Sequence, residues 1–456
     1  MASQNSVSVP QRPSGGVGRI IRSTVFAIIA LIAASFAFVG VQAPQHTQFS
    51  PYDEYVYFDY LVKVPTEGFI RIGEETGPQA RNELSCIGVY GYTKMGQACD
   101  KGSHAKDSAY PYDGGTGATI YSPAYFAVTR VLAEPLTWTG MGLLEAARLV
   151  GAVWLAAGLI LVFLMLKLLK VDALVSLGLA LSVVALPVTY WSNTYISTDA
   201  PTVAAAAGIA CLGILAWRRR ANPFWLVLAA IVLTLFKVQN LAAVGIVALC
   251  LLALAVRKSV LARAHEDGRG PGVLVRTLRD SRSIAAILSV VAGVLTQAAW
   301  LFIISHTAIP GTHAAIIDTQ HYPLTGIALA TETFRFITAF GGSATVTSGV
   351  GLMVAGVLTL LTIAATVGLV MQPRRYPPHY FVIAASTLLV SLLLGPALAL
   401  AMRVEAGYYV PLPVRYGYIL VPALLACLGL YLNRYARVVP IVVAAAGAVS
   451  VLGVLR

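Results

Sequence analysis

The sequence predicts an all-α integral membrane bundle of about eleven transmembrane helices, with a folded external loop after the first helix. Two observations predict it. The 456-residue chain is 57% hydrophobic and 11% charged, with a mean hydropathy of +0.76, whereas a soluble protein carries about 25% charged residues. Its apolar residues are also gathered into runs close to the ~20 residues that a helix needs to cross a bilayer. These runs are 23–41, 147–168, 172–190, 200–217, 223–237, 239–256, 284–304, 349–371, 380–400, 416–432 and 438–455. Soluble globular, disordered and coiled-coil classes are therefore disfavoured. The net charge of +12 would point to nucleic acid in a soluble chain. In a membrane chain Lys and Arg gather in cytoplasmic loops, so the charge reports topology and no nucleic-acid partner is expected.

The elements follow in order. Residues 1–22 are a basic tail, rich in Ser, Pro, Gly and Gln up to residue 18, and are expected to be disordered. The run 23–41 ends at Val41-Gln42-Ala43, which resembles a signal-peptidase site. It is long for a signal and is read as an uncleaved anchor. A catalytic transmembrane module is expected over 23–256, including the external loop 42–146. That loop holds twelve of the twenty acids, and a polar stretch of this length should fold as a subdomain. Lys237, Gln239 and Asn240 interrupt 223–256, which is too long for one span and reads as a hairpin. The basic loop 257–283 holds the topology or touches anionic lipid. A second transmembrane module, 284–456, carries the external loop 305–348. With the N-terminus inside, Arg218 to Arg220, Arg257, Lys258, Arg374, Arg375 and Arg434 fall inside. Sixteen acids then fall outside, so the expectation is N-in, C-out.

The unusual chemistry sits at the outer boundary. Asp53 and Glu54 follow the first run inside an aromatic stretch, Tyr52 to Tyr60. Neighbours on a helix point about 100° apart, so the two carboxylates need not share a task. Asp53 reads either as a helix cap or as a base whose aromatic setting raises its pKa. Asp199, before Pro201, is good capping chemistry on residue type alone. Lys237 at a hairpin tip either snorkels or is functional, because a charge costs roughly 3 kcal/mol at mid-membrane. Residues 119–132 read as a short amphipathic surface helix. Arg130, Arg148 and Arg415 read as interface anchors or as anion ligands.

Cys86 and Cys99 share the external loop on the oxidising side, where a structural disulfide is favoured over two thiols. Cys211, Cys250 and Cys427 lie within runs and read as packing residues. His306, His313, Asp318, His321, Glu332 and Arg335 lie in loop 305–348, without the paired short spacing of a zinc motif. The three histidines and the acids invite a metal reading, but that of surface or substrate-contact histidines is the favoured one. The chain carries no Gly-rich phosphate loop, dinucleotide fingerprint or G-x-S-x-G elbow.

Taken together these residues resemble the GT-C superfamily of membrane glycosyltransferases, best over residues 20–256. Asp53-Glu54 is similar to the acidic pair after the first span, and Tyr121 to Phe126, with Pro123 and Tyr125, to the surface motif. Arg148-Leu149 resembles a span opening, Asp199-Ala200-Pro201 the acidic start of the fourth span, and Lys237 the lysine of the fifth-to-sixth hairpin. Arg415-Tyr416 with Pro422 is similar to an arginine-tyrosine-proline signature of bacterial members. Three positions depart. Relatives carry histidine where this chain has Tyr57 and Tyr121, and Ser122 replaces a proline. The departures leave a divalent metal an open question rather than an expected cofactor.

The resemblance implies transfer of a sugar from a polyprenyl-phosphate donor to a cell-envelope glycan, lipid or protein acceptor on the outer face of a bacterial plasma membrane. It implies Asp53 as general base, with Glu54 and Asp199 orienting the acceptor or a cation. Lys237, Arg148 and Arg415 with Tyr416 would bind the donor phosphate. Tyr57, Tyr121, Pro123, Tyr125 and His321 would line the groove. Two other classes compete. A secondary transporter would explain intramembrane charge, but no internal repeat is visible. A non-catalytic scaffold would tolerate replacement of Asp53 and Asp199.

Overall fold

The structure is a computed structural model that describes residues 23–92, 96, 99, 106–265, 272–312, 322–336, 340–341, 348–435 and 438–456, side chains at 405–406 excepted. The tail 1–22, His313, Asp318 and His321 lie outside the described residues. Among those described, the secondary structure is helical, with isolated bridges in place of strands.

The helices in chain order are α1 (Thr24–Gln42), α2 (Glu54–Glu67), α3 (Pro78–Ile87), α4 (Ala124–Thr137), α5 (Leu143–Leu168), α6 (Ala173–Ser182), α7 (Pro187–Asn193), α8 (Thr202–Trp217) and α9 (Trp225–Phe236). They continue with α10 (Leu241–His265), α11 (Val273–Arg279), α12 (Ser281–His306), α13 (Gly326–Arg335), α14 (Gly349–Met371), α15 (Pro378–Ala406), α16 (Val421–Leu432) and α17 (Val439–Val454). Each of the eleven apolar runs falls on helix, but they are not eleven equal spans. Among the described residues, seven helical segments are long and apolar enough to cross a membrane by length and composition, and α8, α9 and α17 are shorter. The run 172–190 is broken: α6 and α7 bend by 68°. The cause is Pro187, which lacks an N–H and holds Leu186 extended at φ −70°, ψ 136°.

The run 223–256 breaks where its polar residues stand. Lys237 is extended, at φ −167° and ψ 132°, and ends α9. Asn240 donates to the Leu233 carbonyl across the break at 2.8 Å. Helices α9 and α10 then both pack on α12.

Two apolar cores meet at the site. The larger lies in the bundle, from Leu31 and Phe163 to Leu425. There α5 packs on α1 and α8, and α17 on α6. The smaller belongs to the subdomain formed between α1 and α5 and is aromatic: Phe49, Tyr55, Tyr57, Phe58, Tyr60, Tyr125 and Phe126 are buried in it. It ends on Ala146, Ala147 and Val150 of α5 and on Ile196 and Ala200. Cys86 and Cys99 are joined by a disulfide, which ties the end of α3 to the segment after it. Helix α4 buries Tyr125, Phe126 and Thr129 against the subdomain and exposes Val131 (70%), with Trp138 just past its end also exposed (77%). That is the two-faced pattern of a helix lying at a membrane surface.

Candidate functional site

The segment 50–60 sets the geometry. Asp53 begins α2 in the left-handed region, at φ 65° and ψ 7°, and its side chain makes no capping bond. Such a conformation costs of order 1 kcal/mol or more in a non-glycine residue and is held only where its surroundings require it. Here it turns two adjacent carboxylates to different partners.

Glu54 turns inward and is fully buried. Its Oε1 accepts from Arg148 Nε at 2.8 Å and from the Ile196 N–H at 3.0 Å. Its Oε2 accepts from the Ser50 N–H at 2.7 Å and Arg148 Nη2 at 2.9 Å. Arg148 also donates to the carbonyls of His46 and Gln48. The pair therefore bolts the chain after α1 to α5 and to the segment before α8. It is committed to that joint, whereas the resemblance assigned Glu54 to acceptor orientation and Arg148 to the donor phosphate. Beside it, His46 stacks on Tyr195 with centroids 3.8 Å apart and shares a 2.8 Å hydrogen bond with Thr194. Burial, and then the Arg148 charge, push the His46 imidazole down to about 3.

Asp53 faces the other way. Its Oδ2 accepts from Arg415 Nη2 at 2.9 Å, across 362 residues of sequence, and from the Tyr57 hydroxyl at 3.4 Å. The same guanidinium has its Nε 3.5 Å from Asp199 Oδ2, and Asp199 Oδ1 is bonded to Lys237 Nζ. Four charged groups of balanced formal charge thus form one chain, Asp53–Arg415–Asp199–Lys237. Asp199, Lys237 and the Arg415 side chain are largely buried, while the Asp53 side chain keeps 27% exposure. Neither aspartate caps a helix with its side chain, so the capping reading of Asp199 is overturned by its pairing. Lys237 is 3% exposed and does not snorkel, because Asp199 offers it a nearer countercharge.

Aromatic rings enclose the chain. Arg415 lies over Tyr52 at 4.8 Å, and Lys237 lies over Tyr416 at 5.1 Å. Cation–π contacts of this kind gain strength when desolvated. The Tyr57 hydroxyl, its one proton shared between Asp53 and Tyr121, also lies 3.2 Å from the Tyr121 hydroxyl. Burial holds both phenols well above their ordinary pKa, with the Asp53 charge adding to the shift. They remain neutral donors at physiological pH. Tyr112 also faces Asp53, and burial and that charge push it upward too. Tyr112 and Asp113 are both left-handed, at φ 56° and 51°.

The other residues expected at a groove join neighbouring segments. Tyr125 is buried, and its hydroxyl accepts from the Ser197 N–H at 3.1 Å, which fastens α4 to the segment that carries Asp199. Pro123 starts α4. Glu332 is buried and accepts from Tyr409 Oη at 2.5 Å, the Leu412 N–H at 3.2 Å and Arg335 Nε at 2.8 Å. It braces the segment leading to Arg415. Tyr52 and Glu332 were named from sequence only as members of their stretches, and the cluster of His46, Tyr190, Trp191 and Tyr195 was not singled out. The polar-aromatic string Tyr190 to Tyr195 within an apolar run was the available signal.

Arg415 Nε, Thr198 Oγ1 and Thr202 Oγ1 are buried with no hydrogen-bond partner among the described residues. Buried groups of this kind call for an explanation, and a polar ligand is one. A divalent metal fits less well. Among the described residues no three His, Cys, Asp or Glu lie together, and the two aspartates are bridged by a guanidinium that a cation would have to displace. No family model matches the chain, and no curated protein matches it.

Proposed function

We propose that the chain is a GT-C-type membrane glycosyltransferase that moves a sugar from a polyprenyl-phosphate donor to a hydroxyl of a glycan, lipid or protein acceptor at the outer membrane face. The observation that carries this reading is the chain Asp53–Arg415–Asp199–Lys237. It puts a partly exposed carboxylate beside two cations at the junction of the aromatic subdomain and the bundle.

The chemistry follows from the positions. An acceptor alcohol needs to lose its proton as its oxygen attacks the anomeric carbon, and Asp53 is the carboxylate open enough to take it. The bond from that carbon to the donor phosphate breaks with its electrons going to the phosphate oxygen, where negative charge grows. Arg415, with its buried Nε free of a hydrogen-bond partner among the described residues, and Lys237 stabilise that charge. As they turn toward the phosphate, Asp53 is released from its ion pair and becomes a better base. Asp199 holds Lys237 and Arg415 in place between turnovers. Attack opposite the leaving phosphate inverts the anomeric carbon. Tyr52 and Tyr112 border Asp53 and supply aromatic faces for the acceptor.

The test is transfer of labelled sugar from a panel of polyprenyl-phosphate sugars in membranes with and without this protein. Protein-dependent transfer from at least one donor is expected. Absence of transfer from the whole panel, with the protein folded, would shift the reading to transport or scaffolding.

A further inference from the structure

A second polar site lies at the opposite end of α15 from the segment bearing Arg415. A helix of 29 residues spans about 43 Å at 1.5 Å per residue, so the two sites are separate. At this end α14 finishes at Met371, α15 begins at Pro378 and α16 finishes at Leu432. Between them is a cavity of about 500 Å³, lined among others by Arg375, Tyr376, Tyr380, Asn433, Arg434 and Tyr435.

The charge in this cavity is unbalanced. Arg434 donates to the hydroxyls of Tyr376 at 2.8 Å, Tyr431 at 3.2 Å and Tyr435. Its guanidinium lies 4.5–5.9 Å from those three rings. All of these partners are neutral. Arg375 donates to the Gln372 side chain at 3.3 Å. Among the described residues neither arginine has a carboxylate within salt-bridge distance. Asp172, whose N–H donates to Asn433, has its own carboxylate capping α6. The start of α15 adds to the imbalance: it has no side-chain cap and no acid in its first turn, which leaves the positive end of the helix dipole uncompensated. By contrast, Arg282 at the start of α12 is paired with Asp280 at 2.7 Å.

We propose that this cavity binds the phosphate of an anionic membrane lipid. The cage of phenols fixes the Arg434 guanidinium plane, and Arg375 supplies a second charge. Three apolar helices end here, which is the depth of the headgroups. The apolar side chains of Met371, Phe381 and Val438 are exposed at the same end, where acyl chains would run. Tyrosine hydroxyls suit this boundary, having one apolar and one wet end. Basic pockets between spanning helices recognise phospholipid headgroups by the same chemistry. The proposal does not depend on the transferase reading.

The test is native mass spectrometry of the full-length protein, purified in mild detergent and offered phosphatidylglycerol or phosphatidylcholine. The variants are Arg434→Lys and the double variant Arg375→Gln/Arg434→Gln, each checked for unchanged melting temperature. Wild type is expected to retain phosphatidylglycerol over phosphatidylcholine, with retention falling about fivefold for each arginine charge lost. Arg434→Lys should keep most of it. Equal retention by wild type and the double variant would overturn the proposal. Displacement of the lipid by inorganic phosphate at millimolar concentration would overturn a lipid ligand in favour of a free phosphate at the same groups.

Discussion

Glu54→Gln is the sharpest probe of how this fold is joined. Glu54 is fully buried and Arg148 is 3% exposed. Both carboxylate oxygens accept two N–H donors each. A glutamine in either orientation aims its NH2 at two of those donors. It also leaves the Arg148 charge buried without a counterion. Removing one partner of a buried pair costs about 3–5 kcal/mol. One kcal/mol moves the melting temperature by ~2–4 °C for 150–250 residues, and a chain twice that length by about half as much, so a fall of roughly 3–10 °C is expected. Thermal unfolding in detergent, followed by size-exclusion elution, measures it. Arg148→Leu alone should cost as much, because it leaves Glu54 charged and unpaired. The double variant Glu54→Gln/Arg148→Leu should be less damaged than the sum of the two. A melting temperature for Glu54→Gln within a degree of wild type, or strict additivity, would refute the assignment of this pair to the joint.

Further outcomes follow from the same structure. Lys237→Met should lower kcat/KM for transfer about 10²–10³-fold, with Lys237→Arg recovering part. Folding should survive, because Asp199 keeps Arg415 at 3.5 Å. Reduction of the Cys86–Cys99 bridge, or Cys86→Ser, should cost about 3 kcal/mol for a loop spanning 13 residues, read as a lower melting temperature under reductant. His46 should give a pH signature. Its folded pKa of about 3 lies below the ordinary 6.5, so the unfolded chain binds the extra proton first. The stability that neutral His46 contributes is full above pH 6.5 and is lost as pH falls toward 3. His46→Gln should flatten the melting temperature over that window, and an unchanged acid slope would contradict the burial argument.

The parts that were legible in the sequence are those that a local signal carries. Apolar runs mark helices because composition alone decides whether a segment suits lipid, and all eleven fall on helix. The break at Lys237 was legible because polar residues interrupt an apolar run. The bend between α6 and α7 was not read, although Pro187 marked it. That Asp53 and Glu54 need not share a task was legible, but the left-handed turn at Asp53 that separates them and the partners they take were not. Arg415 is 362 residues from Asp53, and no property of either segment alone names the other. Residue type favoured capping for Asp199, yet its side chain is taken by two distant cations. The partner of Arg148 was not legible for the same reason. An arginine at the start of a span looks alike whether it faces a ligand or a buried glutamate.

The central claim is that Asp53 takes the acceptor's proton and is not a structural group. The direct measurement compares purified wild type with Asp53→Asn at equal folded yield. It follows labelled-sugar transfer and, in parallel, retention of a polyprenyl-phosphate donor. The account predicts that Asp53→Asn keeps its melting temperature and its donor while transfer falls about 10²–10⁴-fold, the usual worth of a general base. Transfer by Asp53→Asn at the wild-type rate would contradict it and remove Asp53 from the chemistry.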